Sequence, residues 1–218
     1  MLTTINELKF HALSQINLLA EICIDLEFKI LLNDTNIPFI TSDNPVVKYN
    51  QYLEKRKFHG SATGFSSVGL QLIFPINPQI ALIGYDKTIY KIGFRKKSVI
   101  STNLNQDINK MNLLQFVNCY ESVFHNHLVN KKYLSGLAKT SKKYPEANVG
   151  KAEEYPEIDK TGRILKNRTI SVMYTTDCKT NLNLSFIKET RQAKVLILGN
   201  RAVHLRKHAD AIRKKYRT

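Results

Sequence analysis

The pattern of apolar and polar positions divides the chain into a helix, a run of short strands, a second helix and a basic tail. Ile5, Leu8, Ala12, Ile16, Leu19 and Ile22 recur near helical spacing, with Phe10, Leu13 and Leu18 widening the stripe, which predicts a helix over residues 4–26. Thr4 and Glu7 have the spacing of a capping box. Phe28 to Asn33 predicts a strand, Asn33-Asp34-Thr35-Asn36 a turn, and further short strands follow over 38–41 and 46–49. Residues 50–66 are charged, then small and polar, and predict an exposed loop. Val68, Leu70, Leu72 and Phe74 alternate with Gly69, Gln71 and Ile73, which predicts a strand. Pro75 and Pro78 are expected to end it, since neither can donate to a ladder.

Strands are predicted next over 80–85 and 89–94, the second pairing back on the first. Ile108, Met111, Leu114, Phe116, Val117, Tyr120 and Phe124 predict a long helix over 106–130, capped by Thr102 or Asn105. Residues 140–163, with Pro145, Gly150, Pro156 and Gly162, read as a linker or long excursion. Two more strands are predicted over 164–174 and 182–187, and a helix over 198–218. The expected fold class is α+β, a mostly antiparallel sheet built from residues 28–94 and 164–187 and packed by two long helices, with a basic C-terminal helix. Residues 1–139 form the core, 140–163 the excursion, and 164–218 complete the same domain.

The stretch that organises this pattern is Phe39-Ile40-Thr41-Ser42-Asp43-Asn44-Pro45-Val46-Val47. Apolar strand formers flank a polar kink. Ser42, Asp43 and Asn44 bond readily to nearby backbone, and Pro45 fixes its own φ and pushes Asn44 toward extended geometry. The expected result is a rigid corner between two core strands, with Asp43 capping amides within the turn and Pro45 trans.

Three stretches also carry a resemblance. Phe39 to Val46 is the most specific. Phe74-Pro75-Ile76-Asn77-Pro78 is similar to an apolar-Pro-polar-Pro step, and Ile108-Asn109 to Asn112, then Tyr120, to an asparagine-bearing helix. Through them the chain resembles domain of unknown function family 4238, a bacterial family without an established activity, over roughly residues 27–125. The resemblance implies no particular reaction, cofactor or partner. The family's His-Tyr-x-Pro element, in an extra N-terminal helical region, does not occur in this sequence, as expected either of a short member or of one without an activity that needs that region.

Charge adds a partner class. The formal net charge is +15, and it is lopsided: residues 1–100 carry 11 Lys/Arg and 8 Asp/Glu, residues 101–218 carry 22 and 10. Such a field favours polyanions. RNA or DNA is the expected partner, with an anionic membrane surface as the competing one. In the tail, Arg201, Arg206, Lys207, Arg213, Lys214, Lys215 and Arg217 face one acid, Asp210. Arg206, Lys207, Arg213, Lys214, Lys215 and Arg217 are the candidate phosphate contacts. Cys23, Cys119 and Cys178 are odd in number and far apart, as expected of reduced thiols in a cytosolic protein. No apolar run approaches the roughly 20 residues of a membrane helix.

Candidate chemistry is sparse, and no motif names a cofactor. At the corner, Asp43 could act as general base or metal ligand with Asn44 and Ser42 as hydrogen-bond partners, which makes Asp43, Asn44 and Ser42 the candidate catalytic residues. Their alternative role is to satisfy buried backbone at a strand crossing. Asp25-x-Glu27-x-Lys29 has the E-x-K spacing of metal-dependent nucleases, and a strand would place the three on one face. His125-x-His127 and His204-x-x-x-His208 have ligand-like spacing, but Leu205 stands where a zinc peptidase needs Glu, and surface histidines are expected. The leading reading is a nucleic-acid-associated protein, extending to a nuclease-like effector. The alternative is a non-catalytic interaction module with a structural corner.

Overall fold

A computed structural model of the chain describes residues 13, 16–56, 62–94, 96–158, 163–196 and 204–216. In chain order the elements are α1 (residues 16–23), β1 (Glu27–Asn33), β2 (Thr41–Ser42), β3 (Val47–Tyr49), α2 (Gln51–Lys55), β4 (Gln71–Asn77), β5 (Ile80–Tyr85), β6 (Tyr90–Ile92) and β7 (Val99–Thr102). They continue with α3 (Asn105–Asn118), β8 (Val123–Phe124), α4 (Lys131–Ser141), β9 (Gly150–Ile158), β10 (Ile164–Thr175), β11 (Ile187–Glu189), α5 (Arg191–Val195) and α6 (Lys207–Lys215). The expected α+β class is the observed one. The main sheet has five strands in the order β3-β4-β5-β1-β7, with β1–β7 parallel and the other pairs antiparallel.

Alternation along the strands places the core. Leu31, Val47, Ile73, Ala81 and Ile83 are buried, and Ile108, Met111 and Leu114 of α3 belong to the same apolar cluster. Burying the larger of these side chains stabilises the fold by about 1.5–3 kcal/mol each. The turn between β4 and β5 is closed by Asn77, whose Oδ1 accepts from the Gln79 N–H at 2.8 Å.

Several boundaries differ from the sequence expectation. The strand expected to stop before Pro75 runs through it to Asn77, opposite Ala81, with a register shift after Pro75. β3 pairs with β4 only from Gln71 to Ile73, so Pro75 lies where no ladder asks for its missing N–H. Residues 50–55, read as loop, contain α2, because Asn50 Oδ1 accepts from the Leu53 N–H at 3.0 Å and caps it. β6 does not pair back on β5 but joins β11. β10 pairs with β9, which lies inside the stretch read as a linker, and neither joins the main sheet. The strand expected over 182–187 is loop up to β11.

The two long helices are not confirmed. The described part of the first is α1, and most of residues 4–15 lie outside the described residues. The second, expected over 106–130, ends at Asn118, because the amides that follow are turned onto Asp43 and the chain returns as β8 to pair with β2. Thr102, one of its two expected caps, bonds the turn that precedes the helix: its Oγ accepts from the Leu104 N–H and donates to Asp107 Oδ2 at 3.0 Å. Of the C-terminal helix expected over 198–218, α6 is observed over Lys207–Lys215; residues 204–206 are not helical, Leu205 bridging to Ser67, and residues 198–203 and 217–218 lie outside the described residues.

Candidate functional site

The corner is held by α3. Asn112, Gln115 and Asn118 recur every third residue and are buried, so one edge of the helix presents three amides to the passing chain. Asn112 Oδ1 accepts from the Ile40 N–H at 3.1 Å, and its Nδ2 donates to Pro38 O at 2.9 Å and to the Tyr133 hydroxyl at 3.0 Å. Gln115 Oε1 accepts from Ser42 Oγ at 2.9 Å and its Nε2 donates to Pro45 O at 3.2 Å. Asn118 Nδ2 donates to Asn44 O at 2.7 Å, while Asn44 Nδ2 donates to Asn118 O at 3.1 Å. Pro38, Pro45 and the strand end between them have few ladder partners of their own, and the amides supply them.

Asp43 faces outward and does a different task. It is exposed, and its carboxylate accepts from the N–H groups of Tyr120 at 2.9 Å, Glu121 at 2.8 Å and Ser122 at 3.0 Å. Its own N–H donates to Ser122 O at 3.0 Å. Against desolvation, which raises it, these backbone donors hold the Asp43 carboxyl below the usual carboxylate range. The amides it caps lie in the segment after α3, across the corner, and not mainly within its own turn as the sequence suggested. All peptide bonds of the described residues are trans, Pro45 included.

The candidate phosphate contacts divide. Lys207, Arg213, Lys214 and Lys215 are exposed on α6, whose Ala209 is buried. Lys214 meets Asp210 at 2.7 Å, an exposed i,i+4 pair. Arg217 lies outside the described residues. Arg206 is the exception, with 4% of its surface exposed. Its Nε donates to Asp25 at 3.0 and 3.1 Å, one Nη to Phe65 O at 2.8 Å and Ser67 O at 3.1 Å, and the other to Ile22 O at 2.7 Å. With its donors used inward, Arg206 does not reach a phosphate and instead pins the start of α6 to α1 and the segment 65–67. Backbone bonds from Val68 N–H to His204 O and from Arg206 N–H to Ser66 O complete the joint.

The remaining sequence candidates separate too. Asp25 precedes β1 and belongs to Arg206, while Glu27 and Lys29 share a face of β1 with Lys29 Nζ 3.4 Å from Glu27 Oε1. His204 lies ahead of α6, so it and His208 do not share a helical face, and His208 Nε2 meets Glu21 O at 2.8 Å. Among the described residues no three His, Cys, Asp or Glu side chains are grouped as a metal ion needs. Burial pushes all three cysteine thiols up, the environment of inert thiols. Also among the described residues, no helix is long and apolar enough to cross a membrane.

Sequence reasoning passed over Gln115 and Asn118, and took Arg206 for a surface cation. The signal for the first was three amides at helical spacing among apolar neighbours. None marked the second, because Asp25 is 181 residues away in sequence. A family model described as "Protein of unknown function (DUF4238)" matches residues 4–127, the part of the chain that holds both the corner and the amide edge of α3. Neither the curated proteins nor the solved structures compared with the chain gave a match.

Proposed function

The chain belongs to the DUF4238 family, whose function is unknown, and from that premise we propose that it is a nucleic-acid-binding module in which α6 supplies the phosphate contacts and the Ser-Asp-Asn-Pro corner holds the fold. The observation that carries the reading is the exposure of Lys207, Arg213, Lys214 and Lys215 on a helix pinned to the core by a buried arginine. Cations in a last turn also offset the helix dipole, which accounts for Arg213, Lys214 and Lys215 on structural grounds alone. Lys207 is different, since a cation in the first turn opposes the dipole, and phosphate binding gives it a purpose. Exposed Lys131, Lys132, Lys139, Lys142 and Lys143 along and after α4 extend the positive field.

The corner favours the binding reading over a nuclease. A general base needs a basic carboxylate with an oxygen open to the substrate proton, and the Asp43 oxygens already accept from three backbone donors that weaken it as a base. Ser42 is buried against Gln115 and Asn44 is tied to Asn118 in both directions. Their polar atoms are occupied by the chain itself.

The test is incubation of the chain with labelled RNA, labelled DNA and vesicles containing anionic lipid, with and without Mg²⁺ and Mn²⁺. Retarded but intact nucleic acid is the expected result. Cleavage would establish the nuclease instead, and binding to vesicles alone would move α6 to a membrane surface.

A further inference from the structure

A cavity of about 340 Å³ opens where β1, β5 and β6 meet and is lined among others by Glu27, Tyr85, Lys87, Tyr90, Lys91 and Gly93, its described lining including no residue of the corner or of α6. Glu27, the carboxylate of the E-x-K pair, lines it, with Lys29 behind that carboxylate. Tyr85 O–H donates to Glu27 Oε1 at 2.8 Å, and Lys29 Nζ stands 3.4 Å from the same oxygen. Lys29 is 1% exposed, and its ammonium is held in place by donation to Phe94 O at 2.9 Å and Lys97 O at 2.6 Å. Burial, with the hydrogen bond to Glu27, pushes the Tyr85 hydroxyl well above its ordinary range, so it remains a donor. Tyr85 and Lys29 both meet Oε1. Oε2 has no such partner among the described residues, although 26% of the Glu27 side chain is exposed. Lys87 and Lys91, both exposed, stand at the rim.

We propose that this cavity binds a nucleotide, with Glu27 Oε2 accepting from an exocyclic amine of the base and Lys87 and Lys91 meeting the phosphate. The volume is that of a small-ligand pocket. A fixed carboxylate acceptor selects N–H donors, as in its pairing with the cytosine N4 amine, and repels a carbonyl oxygen in the same place. The cations at the rim favour an anionic group at the other end. Cytosine, adenine and guanine carry the amine, and uracil does not. The nucleotide can be free or an unpaired residue of a strand, since the two present the same base and phosphate. The nucleotide class rests on the nucleic-acid reading above, while the cavity and its carboxylate do not depend on α6.

The test is backbone-amide NMR titration of the full chain with cytidine monophosphate, uridine monophosphate and a short single-stranded oligocytidylate. Cytidine monophosphate is expected to shift residues around Ile92 and Gly93 and to bind about tenfold tighter than uridine monophosphate. Glu27→Gln should abolish that preference. Lys87→Gln with Lys91→Gln, both at exposed positions, should weaken the two nucleotides alike and flatten their salt dependence. Response to the oligonucleotide but not the mononucleotide, still lost in Glu27→Gln, would assign the pocket to a base within a strand. Equal affinity for both mononucleotides, or shifts confined to α6, would overturn the proposal. The second of these would leave the α6 reading standing. Cytidine preference that survives neutralisation of α6 while oligonucleotide affinity is lost would separate the two sites.

Discussion

The corner at residues 41–45 and the helix at 207–215 are both polar stretches fastened to one apolar core, and they direct their polar groups oppositely. At the corner Ser42 and Asn44 reach the amide edge of α3 and Asp43 caps the segment that follows it. On α6 the inward role is concentrated in Arg206 just before the helix, and the following cations point to water. A polar residue's type therefore says little about its task. What decides is whether a distant segment brings complementary backbone groups to it. Carbonyls at 22, 65 and 67 make a structural residue of Arg206, whereas Lys207, Arg213, Lys214 and Lys215 are exposed and among the described residues meet no such set.

The largest expected effect breaks the α6 side of this comparison. Arg206→Met leaves three carbonyls and the half-buried Asp25 carboxylate without their donor, and should cost about 2–4 kcal/mol, less than a fully buried pair because water still reaches Asp25. Chemical denaturation measures it. Arg206→Lys should recover only part, since an ammonium cannot span the same acceptors. A loss below about 1 kcal/mol would mean that Arg206 is dispensable to the joint.

The corner should give way less at any one position. Gln115→Leu leaves Ser42 Oγ unpaired in the interior and the half-buried Pro45 O without its donor, and should cost about 1–3 kcal/mol. Pairing it with Ser42→Ala should restore part of that, because a donor that is no longer there needs no acceptor. A double-mutant cycle with no coupling would dissociate Ser42 from Gln115.

The smallest effect is at Asp43, which is exposed. Its folded carboxyl lies below its unfolded value, so its contribution is present above the ordinary carboxylate value of about 3.9 and is lost as pH falls through the folded one. Asp43→Asn should lower the thermal midpoint slightly at neutral pH, with the gap to wild type closing in acid. A gap that widens in acid would contradict the cap. The same variant should leave nucleic-acid affinity unchanged.

How much of this was legible in the sequence differs between the two regions. The fold class and the cores of β1, β3 and β5 follow from the apolar runs, since Leu31, Val47 and Ile83 are buried, whereas alternation put Leu72 and Phe74 on the apolar face of β4 and the structure buries the opposite face, Gln71 with Ile73. The corner's turn chemistry was also readable from Ser, Asp, Asn and Pro in succession. Its partners were not, because Gln115 and Asn118 read as interruptions of an apolar helix until the corner is placed beside them. The end of α3 was invisible for the same reason: Tyr120 and Phe124 continue the helical spacing, and Asp43, 77 residues before Tyr120, stops it. β7 and β9 escaped because one is a short parallel neighbour of β1 and the other lies in a stretch with the composition of a linker. Among the basic residues, composition gave the sign of the field and could not single out Arg206.

The central claim is that the exposed cations of α6, and not the corner, carry nucleic-acid affinity. The direct measurement is a salt titration of duplex DNA binding by wild type and by the Lys207→Gln, Arg213→Gln, Lys214→Gln, Lys215→Gln variant, with circular dichroism as folding control. Each phosphate contact contributes about −0.9 to the slope of log affinity against log salt. The variant should keep its fold and flatten that slope by about two to four units, while Asp43→Asn keeps the wild-type slope. An unchanged slope in the α6 variant would contradict the account.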